Sequence, residues 1–206
     1  MPDDKTFSSD VAFTPTVKAL QARYGSRHAY SRMEENGGWE TAITPELAAF
    51  IAEQTSAFLA TANSAGQPYI QHRGGPAGFL KVLDDKTIAF ANLRGNRQYI
   101  TLGNLAENPK AHLFLIDYTN QQRVKIWGEA RVVDDDPALL AKLAPAGKAL
   151  RSEQAIVFTV SAWDANCPQH IPQRFEAAEV ERLLEARDSR IAELEGEIAR
   201  LKQRST

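Results

Sequence analysis

In "NLRGNRQ", residues 92–98, Arg94 and Arg97 alternate with Asn92 and Asn96 around Gly95, and an apolar helix-like run follows. Arginine forks and the open backbone N–H groups at the start of a helix hold phosphates and other anions, and a glycine lets the backbone come close. A basic edge for nucleic acid would use the same residues. Asn, Gly and Arg are also what solvated loops are made of, so on this stretch alone an anion cradle and an ordinary connection both stand.

Composition removes one of the three readings. The chain has 206 residues, 43% hydrophobic and 24% charged, ordinary for a globular protein with one main domain and extensions. A net charge of −2 gives no global basic field for a polyphosphate backbone, so no nucleic-acid partner is expected. The single cysteine, Cys167, rules out an intramolecular disulfide and a multi-cysteine zinc site. The polar start "MPDDKTFSSD" lacks the pattern of a signal peptide, and no run of eighteen apolar residues occurs, so the expectation is a cytoplasmic protein without a membrane partner.

The elements that must position the loop follow from periodicity. In residues 1–43, Val17, Leu20 and Tyr24 fall at helical spacing before Gly25, which predicts a helix and an irregular arm. Thr44 reads as an N-cap with Pro45 at the first helical position and Leu47, Phe50 and Ile51 as the apolar stripe of a second helix. From residue 57 the period becomes that of strands: "AFLATAN" and "YIQHR" around "SAGQP", "GFLKVL" and "TIAFA" around "DDK", then "KAHLFLID" and "RVKIWGEARVV" around "YTNQQ", and lastly "EQAIVFTVSAW". Between them "NRQYITLGNLAEN" predicts a helix with Ile100, Leu102 and Leu105 inward and Pro109 as its stop. Meandering short strands with few long helices predict an α+β protein built on an antiparallel barrel.

The end of the chain differs. Val180, Leu184, Arg187, Ile191, Leu194, Ile198 and Leu201 alternate by four and three residues, a heptad seam of about three repeats that predicts either a coiled coil or a lone amphipathic helix packed on its own barrel. The expected organisation is an N-terminal helix and arm over 1–43, a barrel domain over 44–172 and a helical extension over 173–206.

The ordered set "FLATAN…GQPY", "GFLK", "FAN", "NRQ", "ENP" and "WGEAR", spread over residues 55–133, resembles the FMN-binding split barrel of the pyridoxamine 5′-phosphate oxidase family. The resemblance implies a homodimer with FMN in the cleft between subunits. It matches Arg97, with Asn96 and Gln98 beside it, to the step that holds the flavin phosphate. Ala77, Gly78 and Phe79 match backbone contacts to the isoalloxazine ring, and Ala91 and Asn92 match a strand end lying along the cofactor. Lys81 matches a lysine on the substrate side, and Arg123 a position that reaches the flavin of the other subunit.

Three departures accompany the matches. Gln98 stands where the family has a second basic residue, and Pro76, inside the insertion "HRGGPAG", replaces the arginine that opens the next strand; Arg73 could bend back to take its place. The substrate-phosphate cluster and basic C-terminus of the vitamin oxidase proper are missing, which points to a relative with a different small-molecule substrate.

A second cluster, "AWDANCPQHIPQRF", is stiffened by Pro168 and Pro172. Trp163, Cys167 and His170 could wall a bound flavin; a redox thiol ranks second. A metal ranks last, since one Cys and one His fall short of a ligand set and His28, His72 and His112 are scattered. The expectation is therefore no metal and no identifiable catalytic residue, with hydride chemistry supplied by FMN and Lys81 or Arg123 as nearby positive groups. Two other outcomes belong to different classes: a non-catalytic flavin carrier, and a barrel of this kind holding haem or deazaflavin.

Overall fold

The structure, a computed structural model, describes residues 6–144, 154–166 and 168–204. It contains two compact units, one of Met1–Asp117 with Arg123–Cys167 and one of Tyr118–Gln122 with Pro168–Thr206.

In the first unit a 3₁₀ turn (Ser8–Val11) precedes α1 (Pro15–Arg23), α2 (Arg27–Glu35) and α3 (Pro45–Glu53). Strands β1 (Ser56–Ala62), β2 (Pro68–Gly74), β3 (Lys81–Val82) and β4 (Thr87–Ala91) follow. Then come α4 (Ile100–Glu107), β5 (Lys110–Asp117), β6 (Gln122–Asp134), α5 (Pro137–Leu143) and β7 (Gln154–Asn166). The strands form one seven-stranded sheet in the order β2-β1-β5-β6-β7-β4-β3, antiparallel throughout the described pairings. The α+β antiparallel architecture expected from the sequence is the one observed.

Period-two alternation makes the core. On β1, Ala57, Leu59 and Thr61 point inward, and on β5 Ala111, Leu113 and Leu115 do the same. They meet Ile88, Phe90, Ile126, Ile156 and Phe158, and Leu47 and Ile51 of α3 close over one end. Burying each of these large side chains contributes about 1.5–3 kcal/mol. Helix α3 begins as its sequence dictates, with the Thr44 hydroxyl accepting from the Leu47 N–H at 3.2 Å and Pro45 at the first turn. Where β6 passes β7 the register shifts between Trp127 and Gly128, and a Cβ on Gly128 would strike the Thr159 carbonyl oxygen and come within 2.6 Å of the Phe158 ring.

Three expectations need correction. The N-terminal arm is more regular than expected: after the predicted helix α1, whose Leu20 and Tyr24 are 44% and 74% exposed, it holds a second helix, α2. Charge organises the arm: the buried Glu34 carboxylate accepts from Ser9 Oγ at 3.0 Å, pairs with Arg27 and lies 3.6 Å from Lys18 Nζ. Second, "GFLKVL" is a strand only at Lys81–Val82, which pairs with β4 as the expected hairpin. Pro76 lacks an N–H and Gly78 takes φ +80°, so residues 75–80 form a turn closed by Phe79 N–H donating to the Pro76 carbonyl at 2.9 Å, and β3 is two residues long. Third, α4 starts at Ile100, four residues later than the run "NRQ" suggested, because Arg97 and Tyr99 adopt left-handed backbone at φ 61° and 56°. Its buried face is Thr101, Asn104 and Leu105, with Ile100 39% exposed.

In the second unit the turn between β5 and β6 is laced to the segment after Pro168. Gln121 Nε2 donates to the Ile171 carbonyl at 2.6 Å, Thr119 Oγ1 to the Arg174 carbonyl at 3.0 Å, and the Arg174 guanidinium lies 4.4 Å from the centre of the Tyr118 ring. From Ala177 to Arg204 the chain is one helix, α6, none of whose residues is buried.

Candidate functional site

Antiparallel pairing carries β4 to its end beside the start of β7, while β2, across the sheet order, directs Tyr69, Gln71 and Arg73 to the same place. A cleft of about 1090 Å³ results, with those three side chains on one wall. The loop from Asn92 to Tyr99 and the first turn of α4 form a second wall, and Asp134, Asp135 and Gln154 a third.

A hydrogen-bonded chain crosses the floor. Arg73 donates through Nη1 to Asn92 Oδ1 at 3.0 Å and through Nη2 to Thr101 Oγ1 at 3.1 Å. Thr101 Oγ1 donates to Gln71 Oε1 at 2.9 Å. Asn92 Nδ2 donates to Gln154 Oε1 at 3.0 Å, and Gln154 Nε2 to Asp134 Oδ1 at 2.6 Å. The Arg73 Nε is buried without a hydrogen-bond partner, and among the described residues no carboxylate pairs with this guanidinium. Desolvation by burial pulls the Arg73 pKa below its ordinary value, with the neighbouring Tyr69 acting in the other direction. A guanidinium is charged at any physiological pH, so a partly buried one with an unmet N–H favours an anion beside it.

The loop itself is open. Every residue from Leu93 to Ile100 is exposed, Gln98 N–H donates to Asn96 Oδ1 at 3.2 Å, and Tyr99 caps α4 without a side-chain hydrogen bond. The first-turn N–H groups of α4 therefore face the cleft uncapped by a side chain, as an anion site requires. Left-handed backbone at two non-glycine residues costs about 1–2 kcal/mol each, a strain typical of positions that hold ligands. Three arginines, Arg73, Arg94 and Arg97, against Asp134 and Asp135 leave the lining positive.

Of the residues singled out in the sequence, Arg73, Asn92, Asn96, Arg97 and Gln98 share this cleft. Ala91 ends β4 just before it. Ala77, Gly78 and Phe79 occupy the turn before β3, where Gly78 has φ +80°, and Lys81 opens that strand; none of the four lines the cleft. Arg123 pairs in register with Asn166 at the far end of β6. Trp163 donates its indole N–H to the Ala42 carbonyl at 2.8 Å and lines a separate cavity of about 550 Å³ under the N-terminal helices, where Trp39 stacks on Trp127 at 4.6 Å. Cys167 lies outside the described residues. His170 is exposed at φ 67° in the second unit.

The sequence reading missed Gln71, Thr101, Gln154 and Asp134. Gln71 and Gln154 come from strands distant in the chain and carry no motif, so only the register could reveal them. Thr101 had a signal: with Asn104 it places polar residues at i and i+3 of α4, and Asn104 Nδ2 donates to Thr61 Oγ1 at 3.0 Å. His112, 5.0 Å from the Trp127 ring, is pushed down to a pKa of about 4 by burial and by Lys125, and so is neutral near pH 7. Among the described residues no group of His, Cys, Asp and Glu is placed to hold a metal ion, and no helix is long and apolar enough to cross a membrane.

Residues 43–167 match the family model described as pyridoxamine 5′-phosphate oxidase. No curated protein matches the sequence. Among solved structures, HupZ of Group A Streptococcus is 20% identical, covering 65% of this chain and 99% of its own, with a TM-score of 0.49. An FMN-binding protein from Syntrophomonas wolfei is 14% identical over 74% of this chain and 97% of its own, with a TM-score of 0.45. HutZ, the heme storage protein of Vibrio cholerae, is 17% identical over 58% and 89%, with a TM-score of 0.41.

Proposed function

This chain belongs to the pyridoxamine 5′-phosphate oxidase family, and on that premise we propose that it is an FMN-dependent oxidoreductase acting on a small organic molecule. The observation that carries the reading is the cleft that the partly buried, incompletely hydrogen-bonded guanidinium of Arg73 shares with Arg97 and the uncapped start of α4.

A phosphate monoester fits that donor set. Arg73 brings an unmet N–H, Arg97 and Arg94 bring exposed forks, Asn96 fixes the loop through the Gln98 N–H, and the α4 N-terminus adds backbone donors. Thr101, Asn92 and Gln71 hold the Arg73 fork in place, so it is aimed before any ligand arrives. When bound, FMN supplies the hydride-transfer chemistry, and the chain's own task is to bind, orient and exclude water. The reading includes a homodimer: Lys81, Ala77–Phe79 and Arg123 stand away from the cleft of their own chain, as residues would that complete a site on a second copy.

The colour of the purified protein tests this directly. A yellow protein that bleaches with a reduced nicotinamide nucleotide and recovers in air is the expected result. Retained colour with no response to any reductant would mean a carrier, and a Soret band would replace flavin by haem.

A further inference from the structure

On α6, Val180, Leu184, Ile191, Leu194, Ile198 and Leu201 are between 39% and 54% exposed, and the helix buries none of its residues. Most helices in proteins are sustained by packing of an apolar face rather than by propensity, and Gly196 weakens this one further. We propose that the seam pairs with the same seam of a second copy of this chain as a parallel, in-register, two-stranded coiled coil.

The heptad assigns Leu184, Ile191 and Ile198 to the a positions and Val180, Arg187, Leu194 and Leu201 to d. Isoleucine-rich a layers with leucine at d favour two parallel strands. The flanks agree. In a parallel pair each g residue faces the e residue five positions on in the other copy, which sets Arg190 against Glu195 and Glu197 against Lys202, opposite charges in every such ion pair. An antiparallel pair would keep opposite charges at Arg190 with Glu197 and at Glu181 with Lys202 but would put Asp188 against Glu195, a like-charge contact that the parallel pair does not have.

Within one chain Arg190 contacts Glu193 at 2.7 Å, but both are about two-thirds exposed, so exchanging that contact for one across the seam costs little. Arg187 is the one polar residue of the seam, and Asp188 lies 3.5 Å from it. The flanks set the register: a one-heptad slip would bring Arg190 against Lys202 on one side and Glu197 against Glu195 on the other, and would give up a heptad of apolar layers.

Cysteine cross-linking in the full chain tests both the partner and the orientation. Leu194→Cys should form a disulfide-linked dimer under a glutathione redox buffer at least tenfold faster than Ser189→Cys on the outward face, with the unsubstituted chain and its Cys167 as background. Equal rates at the two positions would overturn the proposal. Glu195→Arg in the Leu194→Cys chain should slow the cross-link severalfold by facing Arg190, and adding Arg190→Glu should restore it. An antiparallel pair would instead gain from Glu195→Arg alone, and that outcome would also overturn the proposal.

Discussion

Inside the sheet, Leu59, Leu113, Ile126, Ile156 and Phe158 are at most 1% exposed, whereas from Leu93 to Ile100 every residue is exposed and two non-glycine residues hold left-handed backbone. The two regions meet at β4, whose Phe90 is buried and whose end at Ala91 leads directly into Asn92 on the cleft. Stability is concentrated in the region with no polar side chain to offer. The strained, cationic loop contributes little burial and depends on the sheet to hold its shape. Substitutions in the first should therefore change folding, and substitutions in the second should change binding.

The largest effect is expected in the sheet. Gly128→Ala places a Cβ against the Thr159 carbonyl and the Phe158 ring, both fixed by the β6–β7 pairing, so neither can retreat cheaply. A loss of about 3 kcal/mol or more is expected in urea unfolding. A variant of wild-type midpoint would mean that the bulge at Trp127 relaxes, and the contrast between rigid sheet and adaptable loop would dissolve.

In the loop the expected change is selectivity. Arg97→Ala removes an exposed side chain and should leave the unfolding midpoint near that of the parent. FMN binding should weaken by about 1.5–3 kcal/mol, the range for a hydrogen bond to a charged group, while riboflavin, which lacks the phosphate, changes little. Arg73→Ala should show the same preference, with some loss of stability because Asn92 and Thr101 lose their donor. Equal losses for the two flavins would remove the phosphate from this cleft.

The same contrast explains what was legible in the sequence. Alternation such as "AFLATAN" and the Thr44-Pro45 start of α3 are local signals, and the sheet follows them. The cleft was half legible: Arg97 and Asn96 lie in a recognisable loop, but Gln71 and Gln154 reach it only through strand order. Local pattern also misled at the start of "GFLKVL", where apolar residues suggested a strand and Pro76 with Gly78 made a turn.

A smaller effect tests the sheet's outer face through pH. His112 titrates near 4 in the folded chain, below the ordinary 6.5, so between those values the unfolded chain binds more protons and acid destabilises the fold. The stability that depends on neutral His112 is complete above about pH 6.5 and drains away toward pH 4. Because the ring is only partly shielded, about 1–2 kcal/mol is expected over that window. His112→Gln should flatten this part of the stability profile, and an unchanged slope would assign the acid sensitivity to other groups.

The smallest effect asks whether the loop is strained before any ligand arrives. Tyr99 is 60% exposed, sits at φ 56° and caps α4 with no side-chain hydrogen bond. Asparagine tolerates left-handed backbone better than tyrosine does and is a favoured N-cap, although the cap geometry here is not the usual extended one. Tyr99→Asn should therefore raise stability by about 0.5–1 kcal/mol, read as a higher urea midpoint at unchanged slope. Since the sheet is untouched, the gain belongs to the loop alone. A midpoint that falls would mean that the tyrosine ring contributes more by packing than its backbone loses by strain, and the loop would then resemble the sheet more than the contrast between them allows.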